Sequence, residues 1–330
     1  MPVPVRIDGS QLEGGGQLLR SAVALSAISG IPVTIDRIRE NRVKPGLAAQ
    51  HLTAVRAVGA VCGAETRGAA IGSRSLSFNP GKPLYRECTL DVGTAGSVTL
   101  VLQAWLPVAL MTGGRLTVTG GTEVRLSPTI DYMECLLAEV LVQSGAGISI
   151  DIVKRGYYPR VGGVVTVIVE KMPIDMINPG RGNDPARGIR SCSSNLPDHV
   201  AERQANAAKR LLEEETGKDF PVFTDRRRGE STGSSVTAWS GWKGASSLGK
   251  RGVPAETVGR GAAADLVREL VLPGDVDSHL ADQLMIYIAL YGGRYTSPEC
   301  TLHAATMQWL LSEFGYTVRV SKTTPAEFSA

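Results

Sequence analysis

Residues 4–38, PVRIDGSQLEGGGQLLRSAVALSAISGIPVTIDRI, read as strand, glycine loop, helix and strand in turn. Pro4 to Ile7 reads as a short strand. Asp8 to Gly16 is a glycine-rich loop. Gln17 to Ser29 has the length and apolar period of a helix, and Gly30 is a natural C-cap. Ile31 to Ile38 is rich in Val, Ile and Thr and reads as a strand.

The pattern returns further along. Leu47 to Gly59 (LAAQHLTAVRAVG) predicts a helix stopped by Gly59, and Arg74 to Phe78 a strand. Gly96 to Met111 is a long apolar helix candidate. Arg115 to Thr119 predicts a strand that ends at Gly120-Gly121. Ile130 to Ser144 predicts a helix, and Gly147 to Lys154 and Val164 to Glu170 predict strands. Near the C-terminus Asp282 to Tyr291 and Ala304 to Phe314 are helical, and Thr317 to Ser321 is a closing strand. A glycine loop, an apolar helix and one or two strands thus recur about three times without repeating residue identities. Strands mixed with pairs of helices argue an α+β fold rather than a doubly wound parallel sheet.

Residues 188–273 differ. A polar stretch, Ser191 to Asp198, precedes a charged helix at Val200 to Thr216. A short strand near Val222, the run Arg226-Arg227-Arg228, a Gly/Ser-rich turn at Gly229 to Ser235, a strand-like Val236 to Trp239 and an amphipathic helix at Ala255 to Leu270 complete it. This segment reads as a small α/β unit inserted into the main domain.

Composition bounds the answer. With 330 residues, 43% hydrophobic, the chain is large enough for a sizeable core in one or two domains. A net charge of +3 is too mild to identify a nucleic-acid binder by itself. The 5 cysteines show no CxxC spacing, which argues against a disulfide framework or a zinc site and for reduced thiols in a cytoplasmic protein. No apolar run reaches the ~18 residues of a membrane span.

Three features carry candidate chemistry. Gly14-Gly15-Gly16 lead straight into a helix whose free N–H groups would suit an anion; the alternative is a plain turn. The pattern is neither a P-loop nor a dinucleotide fingerprint. Arg37, Arg39, Arg42 and Lys44 follow a strand and end at Pro45-Gly46, an ordered turn that could present guanidinium forks to phosphate; the alternative is a solvated loop. His303, at a strand-to-helix transition, is a competent nucleophile towards phosphorus if held neutral by the helix dipole. The alternative is a capping or core histidine. No second His or Cys stands nearby at zinc-ligand spacing.

Together DGSQLEGGGQLLR, IRENRVKPGLAAQH, DVGTAGSVTLVLQ, RGYYPRVGG, SSNLPDHVAERQ, HLADQL and TLHAAT resemble the RNA 3′-terminal phosphate cyclase family, in the family's order and over nearly the whole chain. The resemblance implies three repeats of a βαβαββ unit, like the C-terminal domain of translation initiation factor three and akin to the enolpyruvyl transferases. It implies a main domain of residues 1–184 and 276–330 with an inserted small α/β domain at 185–275. The implied activity uses ATP, with a divalent metal (Mg2+ or Mn2+), to convert an RNA 3′-phosphate end into a 2′,3′-cyclic phosphate through a histidine–AMP adduct.

By motif, His303 matches the adenylated histidine and Glu13 the metal-binding carboxylate. Gln17, Arg20, Arg39, Arg42 and Gln50 match polar positions around the ATP phosphates or the RNA end. Gln103 matches an ATP contact. His279, Leu280, Ala281, Asp282 and Gln283 match the nucleotide-binding stretch before the penultimate helix, and Pro128 is a candidate for packing on adenine. The sequence departs from the family pattern at Met307, where an Asn is usual, at His279, where an aromatic is usual, and at Val161, where a glycine is usual. A non-catalytic relative acting in ribosome assembly, which would lack the histidine, is the alternative. An enolpyruvyl-type transferase lacks support from motifs, and a generic nucleic-acid module has little stacking surface at 5% aromatic.

Overall fold

The computed structural model describes residues 3–160, 162–180 and 186–330. Val5–Asp8 (β1), Gly16–Ser29 (α1), Val33–Asp36 (β2), Ala49–Cys62 (α2), Glu65–Arg67 (β3) and Leu76–Asn79 (β4) make the first sheet, ordered β1-β2-β4-β3. Here β1 runs parallel to β2, and β4 is antiparallel to both β2 and β3. Alternation places Val33, Ile35, Leu76 and Phe78 against the helices and leaves Asp36 and Asn79 outside. Helix α1 ends at Gly30, whose φ of 71° is the left-handed C-cap expected there. Helix α2 runs past Gly59, correcting the expected stop, and ends at Gly63, where φ is 60°.

The second sheet repeats that connectivity. Glu87–Asp91 (β5), Val98–Thr112 (α3), Gly114–Gly120 (β6), Ile130–Tyr132 (α4), a π-helical stretch at Met133–Ala138, Glu139–Gln143 (α5), Gly147–Lys154 (β7) and Gly163–Glu170 (β8) follow in order. The strands are ordered β5-β6-β8-β7, again parallel, antiparallel, antiparallel. The two α pieces and the π stretch stack end to end where one helix is predicted from 130 to 144.

A third sheet is built from Arg187–Ser194 (β9), His199–Thr216 (α6), Val222–Arg227 (β10), Gly233–Ser240 (β11), Lys243–Leu248 (β12) and Ala255–Val271 (α7), in the order β10-β9-β11-β12. The polar stretch at Ser191 is therefore strand. Its serines are buried but satisfied: Ser191 Oγ donates to Ala201 O at 2.8 Å, and Ser194 Oγ to Ser231 O at 2.8 Å. The expected turn at 229–235 is shorter, because β11 starts at Gly233. Strand β11 is covered on both faces. Val236 and Ala238 join a separate cluster with Leu212, Val258 and Leu266, while Trp239 joins the main core.

Ser278–Tyr291 (α8), Arg294–Ser297 (β13), Leu302–Glu313 (α9), Arg319–Val320 (β14) and Ala326–Ser329 (β15) close the chain with a sheet ordered β13-β15-β14. The closing strand is thus shorter than predicted, and β15 lies beyond it. Helices α1, α2, α3, α8 and α9 contribute Leu18, Leu25, Val58, Trp105, Leu284 and Leu310 to one contiguous core. Each such side chain contributes about 1.5–3 kcal/mol by leaving water. The first turns of α1, α8 and α9 are thereby brought together. Among the described residues no helix is long and apolar enough to cross a membrane.

Candidate active site

The site begins at the glycine loop. Helix α1 starts after Gly15 with no side-chain cap among the described residues, so its first N–H groups are open to an anion. Neighbours compel the glycines. Gly14 has φ 60°, and a Cβ there would meet Asn41 Nδ2 at 2.5 Å. A Cβ on Gly15 would lie 2.1 Å from Glu13 Oε2, and one on Gly16 2.1 Å from His51 Nε2. His51 is buried, and burial, then Arg20 and Arg39, push its pKa down to about 2, so it stays neutral.

His303 sits in the first turn of α9, which Thr301 caps by accepting from Ala304 N at 3.1 Å. Its Nδ1 is 2.7 Å from Gln17 Oε1. Gln17 Nε2 donates to Asp282 Oδ2 at 2.5 Å. With Asp282 ionised, the Gln17 amide has one consistent orientation. Its NH2 faces the carboxylate, its oxygen accepts from His303 Nδ1–H, and His303 Nε2 keeps the lone pair. Desolvation, then the charges of Arg42, His279 and Arg20, lower the His303 pKa below its usual 6.5. Burial raises the Asp282 carboxyl to about 7, with Gln17 and Arg20 acting in the opposite direction.

A second polar chain lies alongside. Arg20 Nη2 donates to Gln103 Oε1 at 3.4 Å, Gln103 Nε2 to Gln283 Oε1 at 2.7 Å, and Gln283 Nε2 to His279 O at 2.7 Å. Burial lowers the Arg20 pKa to about 10, which still leaves it cationic at neutral pH. Gln50 Oε1 accepts from Ser97 N at 2.9 Å. Ser97 Oγ is 2.7 Å from Thr99 Oγ1, which donates to Pro128 O at 2.8 Å. Arg39 is held by Gly46 O at 2.8 Å. Arg37 and Arg39 take positive φ, 51° and 55°, as residues of a tight turn do.

Glu13 forms an ion pair with Arg42, and its N–H donates to Thr306 Oγ1 on α9 at 3.3 Å. The Glu13 side chain is only 8% exposed, yet among the described residues Oε2 has no hydrogen-bond donor. An orphaned, buried carboxylate oxygen fits a divalent cation, which takes one or two carboxylates and completes its shell with substrate phosphate oxygens. Among the described residues no group of three or more His, Cys, Asp or Glu forms an all-protein cage.

The predicted residues are thus largely brought together, with two adjustments. The stretch from His279 to Gln283 is not a segment before the helix; it forms the first turns of α8. Within it Leu280 and Ala281 face the core, so the polar cluster receives His279, Asp282 and Gln283. Met307 is buried in the core. Val161 lies outside the described residues, as does the expected boundary at 184/185. Of the basic run, Arg226 pairs with Glu202 at 2.9 Å, and Arg227 with Asp225 at 2.8 Å.

Two hubs are not among the site residues read from the sequence: Asp277 lies outside every motif considered, and Arg155 opens RGYYPRVGG without being singled out there. Asp277, fully buried, accepts from His279 N at 2.9 Å, Leu280 N at 2.8 Å, Gly244 N at 2.9 Å and Tyr132 Oη at 2.7 Å. It caps α8 and ties it to α4 and β12. The Asp three residues before the apolar period is an N-cap signal that a longer predicted helix would have exposed. Arg155, whose side chain is 1% exposed, donates to Glu123 Oε1 at 2.6 Å, to Asp131 Oδ1 and Oδ2 at 2.8 Å, and to Asp225 Oδ2 at 2.8 Å. Arg190 also reaches Asp131 at 3.1 Å. Burial and the neighbouring Asp131 push Glu123 up to about 8.

The sequence matches the family described as RNA 3′-terminal phosphate cyclase over residues 11–320. It is 45% identical over 314 residues to the RNA 3′-terminal phosphate cyclase of Archaeoglobus fulgidus, covering 94% of this chain and 95% of that one. The protein of the same name from Methanococcoides burtonii is 44% identical over 315 residues, with 94% of each chain covered. That from Thermococcus gammatolerans is 42% identical over 318 residues, covering 94% of this chain and 92% of its own.

Proposed function

The chain belongs to the RNA 3′-terminal phosphate cyclase family, and on that premise we propose that it closes an RNA 3′-phosphate into a 2′,3′-cyclic phosphodiester, using ATP and a His303–AMP intermediate. The observation that carries the reading is the relay from Asp282 through Gln17 to His303 Nδ1.

His303 Nε2 attacks the α-phosphorus, the bond to the bridging oxygen breaks, and pyrophosphate leaves. The imidazole becomes cationic as it is substituted. Gln17 accepts its Nδ1–H, and the Asp282 carboxylate behind Gln17 offsets the charge. An oxygen of the RNA 3′-phosphate then attacks the same phosphorus and releases neutral His303. Finally the 2′-hydroxyl attacks the activated 3′-phosphorus, AMP departs, and the hydroxyl proton passes to solvent. That last step is intramolecular, because the ribose already holds the two groups together. Arg20, Arg39 and Arg42, with Gln50, bind and orient phosphate oxygens. Gln103, Gln283 and His279 hold the nucleotide, with Pro128 against the base. Glu13 would hold Mg2+ or Mn2+, which when bound neutralises phosphate charge.

The shared connectivity of the first two sheets, and the same order less its first strand in the last, support three copies of a βαβαββ unit. The sheet around β11 is then the inserted domain, in a cytoplasmic enzyme.

The test is transfer of label. With ATP labelled at the α-phosphate and a divalent metal, the wild type takes up acid-labile label and His303→Ala takes up none. Labelled His303→Ala would remove His303 from the role, and an unlabelled wild type would favour a non-catalytic relative.

A further inference from the structure

An RNA end that enters the site must leave room for the nucleotides on its 5′ side. All three arginines of the 37–46 loop are held, Arg37 by Asp8, Arg39 by Gly46 O and Arg42 by Glu13, and in the proposed reaction Arg39 and Arg42 serve the reacting phosphate rather than the strand behind it. On the other side a band of paired, buried backbone connects Gln50 to Tyr157. Gln50 holds Ser97 N, Ser97 bridges Gly121, and Glu123 bridges Tyr157, both in parallel register. Thr122 N donates to Gly156 O at 2.9 Å, closing the second step. Two strand spacings place Tyr157 about 10 Å to the side of Ser97.

At the outer rim, alternation decides which side chains face water. Arg155 and Tyr157 are buried, Tyr157 so closely over Gly233 that a Cβ there would meet its ring at 2.3 Å. Tyr158 is therefore turned outward, with 77% of it exposed. The adjoining segment, bridged to Tyr157 at Glu123, turns at Arg125 and Leu126, the latter 98% exposed. Arg125 and Arg160 are exposed and, among the described residues, have no hydrogen bond or ion pair. Unengaged guanidinium groups flanking an exposed aromatic ring suit single-stranded nucleic acid: the ring stacks on a base and the cations meet phosphates.

We propose that Tyr158, Arg125 and Arg160 form the track for the single-stranded RNA on the 5′ side of the reacting end. This rests on the cyclase reading for the identity of the RNA, but its test need not use turnover. Binding of a fluorescently labelled, 3′-phosphorylated oligoribonucleotide of about ten nucleotides is read by anisotropy. Turnover of the same RNA and of a nucleoside 3′,5′-bisphosphate is measured in parallel. Tyr158→Ala is expected to weaken oligonucleotide binding about tenfold, Tyr158→Phe to keep it, and both to leave self-adenylylation and the bisphosphate reaction unchanged. The Arg125→Ala/Arg160→Ala pair is expected to lower the slope of log K against log salt by about 1.4. Wild-type binding by Tyr158→Ala, or an equal loss with the bisphosphate, overturns the track. A wild type that binds the RNA through these residues but closes no end would overturn the cyclase reading and leave the track in place.

Discussion

His303 can attack phosphorus only through the nitrogen that Gln17 leaves free, so the protonation of Asp282 should be visible in the rate. Neutral imidazole is required, and loss of activity on the acid side follows the His303 pKa, which is below 6.5. Asp282 ionises near 7; above that pH its charge orients Gln17 and offsets the cationic imidazole, so the rate should rise through this range. In Asp282→Asn the limb near pH 7 should vanish from the pH profile of self-labelling, the lower limb should remain, and the plateau should fall by about 10²-fold. An unchanged limb would separate Asp282 from the nucleophile. The histidine, Glu13 and the arginines could be nominated from the chain because their motifs are local. The relay could not, since Gln17 and Asp282 lie 265 positions apart and only the packing of α1 against α8 and α9 joins them.

Helix α8 presents His279, Asp282 and Gln283 only because Asp277 fixes its first turn. Asp277→Ala removes that cap and leaves the Tyr132 hydroxyl and Gly244 N–H buried without an acceptor, a cost of about 3 kcal/mol. Thermal unfolding should show Tm falling by several degrees, with Asp277→Asn between the two; an unchanged Tm would deny Asp277 its role as hub. Helices were readable where the apolar period was long, as in α1, α3 and α6. Boundaries were less so, because α2 tolerates Gly59 and stops only where the left-handed turn at Gly63 is needed. Strand β9 escaped detection since three of its buried residues, Ser191, Ser193 and Ser194, are serines, with Ser191 and Ser194 made acceptable by hydroxyl partners that lie elsewhere in the chain. Strand β3, three exposed residues at a sheet edge, carries no pattern to read.

Across the whole molecule, the unit of β9–β12 is joined to the rest through charge as well as apolar contact. Burial acts to raise the Asp131 pKa, but Arg155 and Arg190 outweigh it and hold the carboxyl below its usual value. The stability this supplies is present above the unfolded carboxyl's pKa and is lost as pH falls through the folded one. Arg155→Ala should destabilise by about 3–5 kcal/mol at neutral pH, measured by denaturant unfolding. The deficit should shrink in acid, where the stranded carboxylates protonate; a pH-independent deficit would assign the loss to packing alone.

The same junction bears on protein engineering. Joining residue 186 to residue 272 would shorten the chain on paper, but it would strip Arg155 of Asp225, Asp131 of Arg190, and Asp277 of Gly244 N. Thr129 would lose its hydroxyl partners Thr237 and Ser246, and the core would lose Trp239 and Trp242. The β9–β12 unit is therefore no interchangeable cassette. A chimera that swaps it must carry the recipient's counterparts of Asp225, Arg190 and Gly244 as a matched set, much as a transplanted gear must match the teeth it meets.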